Sequence, residues 1–346
     1  MLRLHFAQNC AIILKSLAEQ AFCPRLARMI CITSEFELPE IRLMELSGTV
    51  FIQVLIIFIL MSVGFVISKV KLLTEEGKKQ MTNILLMIVT PCVLINAYQK
   101  DFTKEAAKQL GIAAVMSFLL IASTIIISTI IFKKEETLKY RVSIFGSVYS
   151  NCGFMAIPLL AATMGSDGVF YGSAYLAVFT VLYWTHGICL YGGSLKEIEI
   201  KKIITNPGII GTLIAVILFV CRIKLPYVIK ESVAYLADIN TPIAMLIMGS
   251  YLTSVNWKKA LSGISIYIVT LLRLIVYPIA AILILKLFGV DDGIAKSLLI
   301  SASCPTAAVS ALLAAKYRLD AVYATEIVSV TTLLSIVTIP LVLLLY

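Results

Sequence analysis

The sequence predicts an all-α integral membrane protein. It would have ten transmembrane helices in two inverted five-helix repeats, with the fourth and ninth helices broken where they cross at the midplane. Three observations lead there. Of the 346 residues, 60% are hydrophobic and 14% charged, against about 45–50% and 25% in soluble domains. Apolar runs of about 20 residues, enough to cross a bilayer, recur along the whole chain. Two sets of residues also recur at a displacement of about 150 positions.

Taken in order, residues 1–43 stand apart. They carry Arg3, Lys15, Arg25, Arg28, Arg42 and three cysteines (Cys10, Cys23, Cys31), with no span-length apolar run. The compact apolar core and small-residue cleavage site of a signal peptide are missing. The reading adopted is that translation begins at Met44 and that 1–43 is an artefact of start assignment; the alternative is an amphipathic N-terminal segment. The spans of the first repeat (44–191) then fall at 47–68, 79–98, 108–132, 141–163 and 168–191. The loop 192–206 is the longest connection. The second repeat (207–346) has spans at 207–221, 228–252, 260–288, 294–315 and 321–345. The sixth is short, which flanking residues or a thinned bilayer accommodate.

Orientation follows from lysine and arginine in alternate loops. Loops after odd-numbered spans hold 15, those after even-numbered spans 8. The first set, including 192–206, is placed in the cytoplasm and both termini outside, in a plasma membrane. The net charge of +9 lies in these short loops, with no basic patch interleaved with aromatics, so no nucleic-acid partner is expected. Cys92, Cys152, Cys189, Cys221 and Cys304 fall within or beside apolar runs without a Cys-x-x-Cys pair, and read as reduced, space-filling residues. Two histidines, His5 and His186, are too few for a typical histidine-based metal or haem site. No cofactor is expected beyond a candidate coupling proton or sodium ion.

The repeat is the strongest signal. Leu159-Leu-Ala-Ala162, Asp167, Val169 and Phe170 recur as Leu312-Leu-Ala-Ala315, Asp320, Val322 and Tyr323, all displaced by 153. Thr90-Pro91 recurs as Thr241-Pro242, displaced by 151. Each unit then holds five spans. An odd number makes the second copy enter the membrane from the opposite side, a plan common among secondary transporters.

Both halves carry a break in the matching span. Ser150-Asn-Cys-Gly-Phe-Met-Ala-Ile-Pro158 places Gly153 and Pro158 around Asn151, and Ser301-Ala-Ser-Cys-Pro-Thr306 places Pro305 among hydroxyls. An internal proline removes a backbone hydrogen bond and clashes with the preceding turn, at about 3 kcal/mol. In hydrocarbon, irregular backbone survives only where protein or a cavity shelters it, and two crossing breaks can shelter each other. Half-helix N-termini there would turn unpaired N–H groups toward an anion. The candidate substrate residues are therefore Asn151, Cys152, Gly153, Ser303, Cys304, Pro305 and Thr306; for Pro305 alone, a structural kink is the alternative.

Asn151-Cys-Gly-Phe-Met-Ala-Ile-Pro158, Thr241-Pro-Ile-Ala-Met-Leu-Ile-Met-Gly249 and Leu334-Ser-Ile-Val-Thr-Ile-Pro340 resemble the auxin efflux carrier family over about 44–346. The resemblance implies ten helices in two inverted repeats, with a scaffold of helices 1, 2, 6 and 7. The other six would form a mobile transport domain, with Asn151 and Pro305 at the crossover. Bacterial members are known as malate or malonate permeases and plant members export auxin, so the substrate does not carry over. The leader lies outside the pattern, and the large central loop of many plant members is absent.

Charges inside spans are costly and tend to serve function. Arg273 lies near the middle of the eighth span, where it would hold a substrate carboxylate or pair with Asp238 or Glu326. Asp238, four residues before Pro242, and Glu326 are candidate carriers of a coupling ion, Glu326 with a place near the cytoplasmic mouth as its alternative. His186 beside Trp184 reads as a hydrogen-bonded packing residue. The leading expectation is a secondary transporter of a small organic anion, moving by rocking or elevator-type alternating access, with the bilayer and that anion as partners and a homodimer left open. An anion channel is the alternative. A membrane enzyme is disfavoured, since His-Glu-x-x-His, Gly-x-Gly-Asp and phosphate-loop motifs are absent from the sequence.

Overall fold

The structure is a computed structural model that describes residues 39–132, 138–194, 200–255, 257–260 and 263–346. Nearly all of the leader thus lies outside the described residues. Two compact units are distinguished, Met1–Thr49 and Val50–Tyr346; the first helix begins in the former, and all the other elements belong to the latter.

The principal helices are α1 (Pro39–Lys69), α2 (Glu75–Ala97), α3 (Lys104–Ile131), α4 (Leu138–Val148), α5 (Cys152–Gly192), α6 (Pro207–Val220), α7 (Tyr227–Tyr251), α8 (Ile264–Leu287), α9 (Asp292–Ser303), α10 (Val309–Lys316) and α11 (Ala321–Leu345). Among the described residues, seven are long and apolar enough to cross a membrane: α2, α3, α5, α7, α8, α11 and the Phe51–Lys69 part of α1. Their starts are written in the loops. Thr74 accepts from the Gly77 N–H, Thr103 from Ala106, Asp291 from Gly293 and Asp320 from Tyr323. Asn206 caps α6 with Pro207 at its first position. Each cap satisfies N–H groups that a helix start leaves open.

Three prolines sit two residues beyond a π-helical turn: Leu85–Val89 before Pro91, Cys152–Ala156 before Pro158, and Leu272–Val276 before Pro278. A π turn widens the helix by one residue and so absorbs the donor and the space a proline ring removes. Thr90 donates both its N–H and its Oγ1, the latter at 2.9 Å, to the Leu85 carbonyl at the first of these turns.

α5 contains Gly165 with φ 62° and ψ −148°, a conformation other residues avoid. The expected end of span 4 at 163 and start of span 5 at 168 bracket this kink. The other glycines that matter lie between α1 and α7. A Cβ on Gly64 would stand 2.3 Å from the Leu246 carbonyl oxygen, and one on Gly249 only 1.8 Å from that of Met61. The two backbones touch, as small residues permit in membrane helix pairs.

Two aromatic clusters fill the interior. Tyr98, Phe170, Phe219 and Phe102 join the end of α2 to α5 and α6, with the Tyr98 hydroxyl 2.6 Å from that of Ser173. Phe145, Tyr149, Phe179, Tyr183 and Tyr191 join α4 to α5. His186 Nδ1 lies 2.9 Å from the Tyr149 hydroxyl, the packing role expected of it. The matched aspartates Asp167 and Asp320 do different work: Asp320 caps α11, whereas Asp167 pairs with Lys100 at 2.9 Å.

Candidate functional site

α4 ends at Val148 and α9 at Ser303, each by its C-terminus, and the chain then passes through a short non-helical stretch before helix resumes at Cys152 and Val309. Cys304, ahead of Pro305, has φ −62° and ψ 151°, the extended state that a following proline favours. The two breaks pair as an antiparallel bridge between Ser150 and Thr306. The Asn151 N–H donates to the Pro305 carbonyl at 2.7 Å, and the Ala307 N–H to the Tyr149 carbonyl at 2.9 Å. Each break thus supplies the partners that lipid could not.

The carbonyls at the end of α4 are all accounted for. Thr306 Oγ1 donates to Gly146 O at 2.6 Å, Arg273 Nη1 to Ser147 O at 3.1 Å and to Val148 O at 2.8 Å, and Ala307 takes Tyr149 O. Arg273 Nη2 donates to Ala302 O, in the last turn of α9. A single guanidinium therefore ties the negative ends of both interrupted helices. Arg273 is 1% exposed, and none of the ion pairs among the described residues includes it. The ion pair with Asp238 or Glu326 that the sequence left open is replaced here by carbonyl contacts. Carbonyls carry no side-chain identity, so the sequence could not announce them.

The expected site residues are brought together. Asn151, Cys152, Ser303, Cys304 and Thr306 are buried at the crossover with Pro305 between them. The Asn151 side-chain amide donates to Met248 Sδ of α7 at 3.4 Å, so the side chain meets α7 while the main chain holds the opposite break. The starts of the resuming helices are less enclosed: Gly153, Phe154, Ala308 and Val309 are all partly exposed. A Cβ on Gly153 would meet only Leu176 at 3.8 Å, so its space is open. The carbonyl ends are sealed on Arg273 and the N–H ends face the more open side.

Glu326 is buried on α11 beside Ile327, which contacts Gly146 of α4. Asp238 is exposed on α7 and makes no ion pair among the described residues. Sequence reasoning missed Thr331, whose Oγ1 accepts from the Thr306 N–H at 3.2 Å, and Met248. A buried Thr331-Thr332 pair within an apolar run was the available signal for the former.

An all-helical, multi-pass membrane protein with two interrupted helices bonded at their breaks is what the fold defines. The chain matches the family described as membrane transport protein over residues 49–343. It is also 26% identical over 284 residues to an uncharacterized transporter of Methanocaldococcus jannaschii, covering 77% of this chain and 89% of the relative. The chain belongs to the membrane transport protein family, that of the auxin efflux carriers.

Proposed function

We propose that the protein is a secondary carrier of a small organic anion, a carboxylate such as malate, malonate or an auxin-like acid, bound at the crossover. In this reading α4 with the first part of α5 is the fourth pass and α9 with α10 the ninth, which gives ten passes in two inverted repeats and both termini outside the plasma membrane. One observation carries the proposal: the negative helix ends are neutralised by a buried arginine, while the positive first turns beginning at Cys152 and Val309 are partly open at Gly153, Phe154 and Val309. N–H groups at a helix start favour negative charge. Asn151, Gly153 and Thr306 would line the substrate, and Asp238 and Glu326 remain candidates for an ion-coupling role. Movement would be rocking or elevator-type, with α1 and α7 in the fixed part.

Purified protein in liposomes tests this with a panel of radiolabelled mono- and dicarboxylates. Counterflow, in which unlabelled internal acid drives transient accumulation of label, is expected of a carrier. Equilibration without counterflow would mean a channel, and no uptake across the panel would refute the reading.

A further inference from the structure

We infer that Arg273 is the positioning residue that gives the crossover its preference for anions, acting through the two helix ends it ties and not by touching the substrate. The inference rests on the crossover being the substrate site. Four helix ends meet there. Those of α4 and α9 are negative and those of α5 and α10 positive, each about half an elementary charge, so the four sum to nearly zero. Arg273 adds one whole positive charge, 1% exposed, with no acidic partner among the described ion pairs. Its three bonds end on Ser147, Val148 and Ala302 carbonyls, so that charge is spent against the negative ends and leaves the positive ends uncompensated. The planar fork matters as much as the charge, because it spans two helices at once. Lysine offers one ammonium and cannot hold both ends in the same geometry. The Arg273 Nε has no partner among the described residues, and neither has Ser303 Oγ one residue past Ala302, so carbonyl ties are what fixes the ring of contacts.

The experiment separates geometry from charge. Cys152 and Cys304 are 1% and 0% exposed at the breaks and report on their integrity. Chains keeping only one of these cysteines, the other seven changed to serine, are labelled with a small maleimide in liposomes. In parallel, initial uptake of labelled malonate and of indole-3-acetate is compared with that of the corresponding uncharged amides, malonamide and indole-3-acetamide. Arg273→Gln is expected to raise labelling roughly tenfold or more, since charge-assisted bonds close the site, and to lower the acid-over-amide preference about tenfold. Arg273→Lys, which keeps the charge and guards against loss of folding, should raise labelling similarly but keep most of the preference. Labelling that rises in Arg273→Gln with an unchanged preference would reduce Arg273 to a staple and overturn the inference. Preference lost with labelling unchanged would place the guanidinium on the substrate itself and also overturn it. A parent that moves neither acid would refute the carrier reading instead, and the labelling arm would still decide whether Arg273 ties the helix ends.

Discussion

Replacing Gly249 by alanine should destabilise the protein, whereas the same change at Gly111 should not. At Gly249 the new Cβ would stand 1.8 Å from Met61 O, 2.7 Å from its carbonyl carbon and 2.9 Å from Phe65 N. All three atoms are main chain of α1, so no side chain can step aside. Ordinary carbon contacts lie near 3.5 Å, and α1 must retreat from α7 by about 1.5 Å. That separation also opens the reciprocal close contact of Gly64 with Leu246 and loses its packing. Overpacking of this kind costs about 1–3 kcal/mol or more. Gly111 is an exposed residue inside α3 with nothing within 4 Å of its notional Cβ. Alanine there gains about 0.5–1 kcal/mol from helix propensity alone. Thermal unfolding in detergent, followed by monodispersity, should show the midpoint falling by about 5 °C for Gly249→Ala and holding or rising slightly for Gly111→Ala. Equal midpoints for Gly249→Ala and the parent would refute the close backbone contact.

Three further outcomes are expected. Thr306→Val keeps the shape but removes the donor to Gly146 O, leaving a buried carbonyl open at about 1–3 kcal/mol, so the unfolding midpoint should fall while Thr306→Ser stays near the parent. Asn151→Ala loses only a bond to a sulfur acceptor and keeps the main-chain bond to Pro305, so folding should hold while carboxylate binding weakens roughly tenfold, with Leu287→Ala, 81% exposed, as the silent control; parent-like transport by Asn151→Ala would remove the amide from the site. Each anion charge crossing the membrane gains about 2.3 kcal/mol per 100 mV, so a potassium–valinomycin potential alone should drive transport with its sign, and indifference to voltage with dependence on a proton or sodium gradient would point to Glu326 or Asp238.

Much of the architecture was legible because the bilayer imposes it. The apolar, helical character of the chain and the Pro305 break each follow from backbone groups that hydrocarbon cannot satisfy, whereas the Gly165 kink was marked in the sequence only by the gap between two expected spans, at 163 and 168. The pairing of the two breaks was legible too, since 150–158 and 301–306 were polar, glycine- or proline-bearing stretches about 150 residues apart. The π turns before Pro91, Pro158 and Pro278 were not, because proline in a helix signals either a kink or a widened turn, and neighbouring contacts decide which. Asp167 and Asp320 share a place in the repeat and differ in partner because Lys100 reaches only the first. Arg273 was found as a buried charge but not as a tie, since its partners are carbonyls present at every residue.

The tie also explains an asymmetry at the displacement of about 150 residues found in the sequence. Positions 151 to 153 residues before Arg273 hold Leu120, Ile121 and Ala122, none of them charged. Two separate helix breaks would each need a counter-charge for their carbonyl ends. Breaks bonded at Ser150 and Thr306 bring the Val148 and Ala302 carbonyls within reach of one fork, so a second arginine has no end left to serve. It would also stand as a buried like charge beside the first, with no partner to offset its desolvation. A lone arginine in α8, with no charged residue at positions 120–122, is what crossing breaks ask of a sequence and what two independent kinks would not.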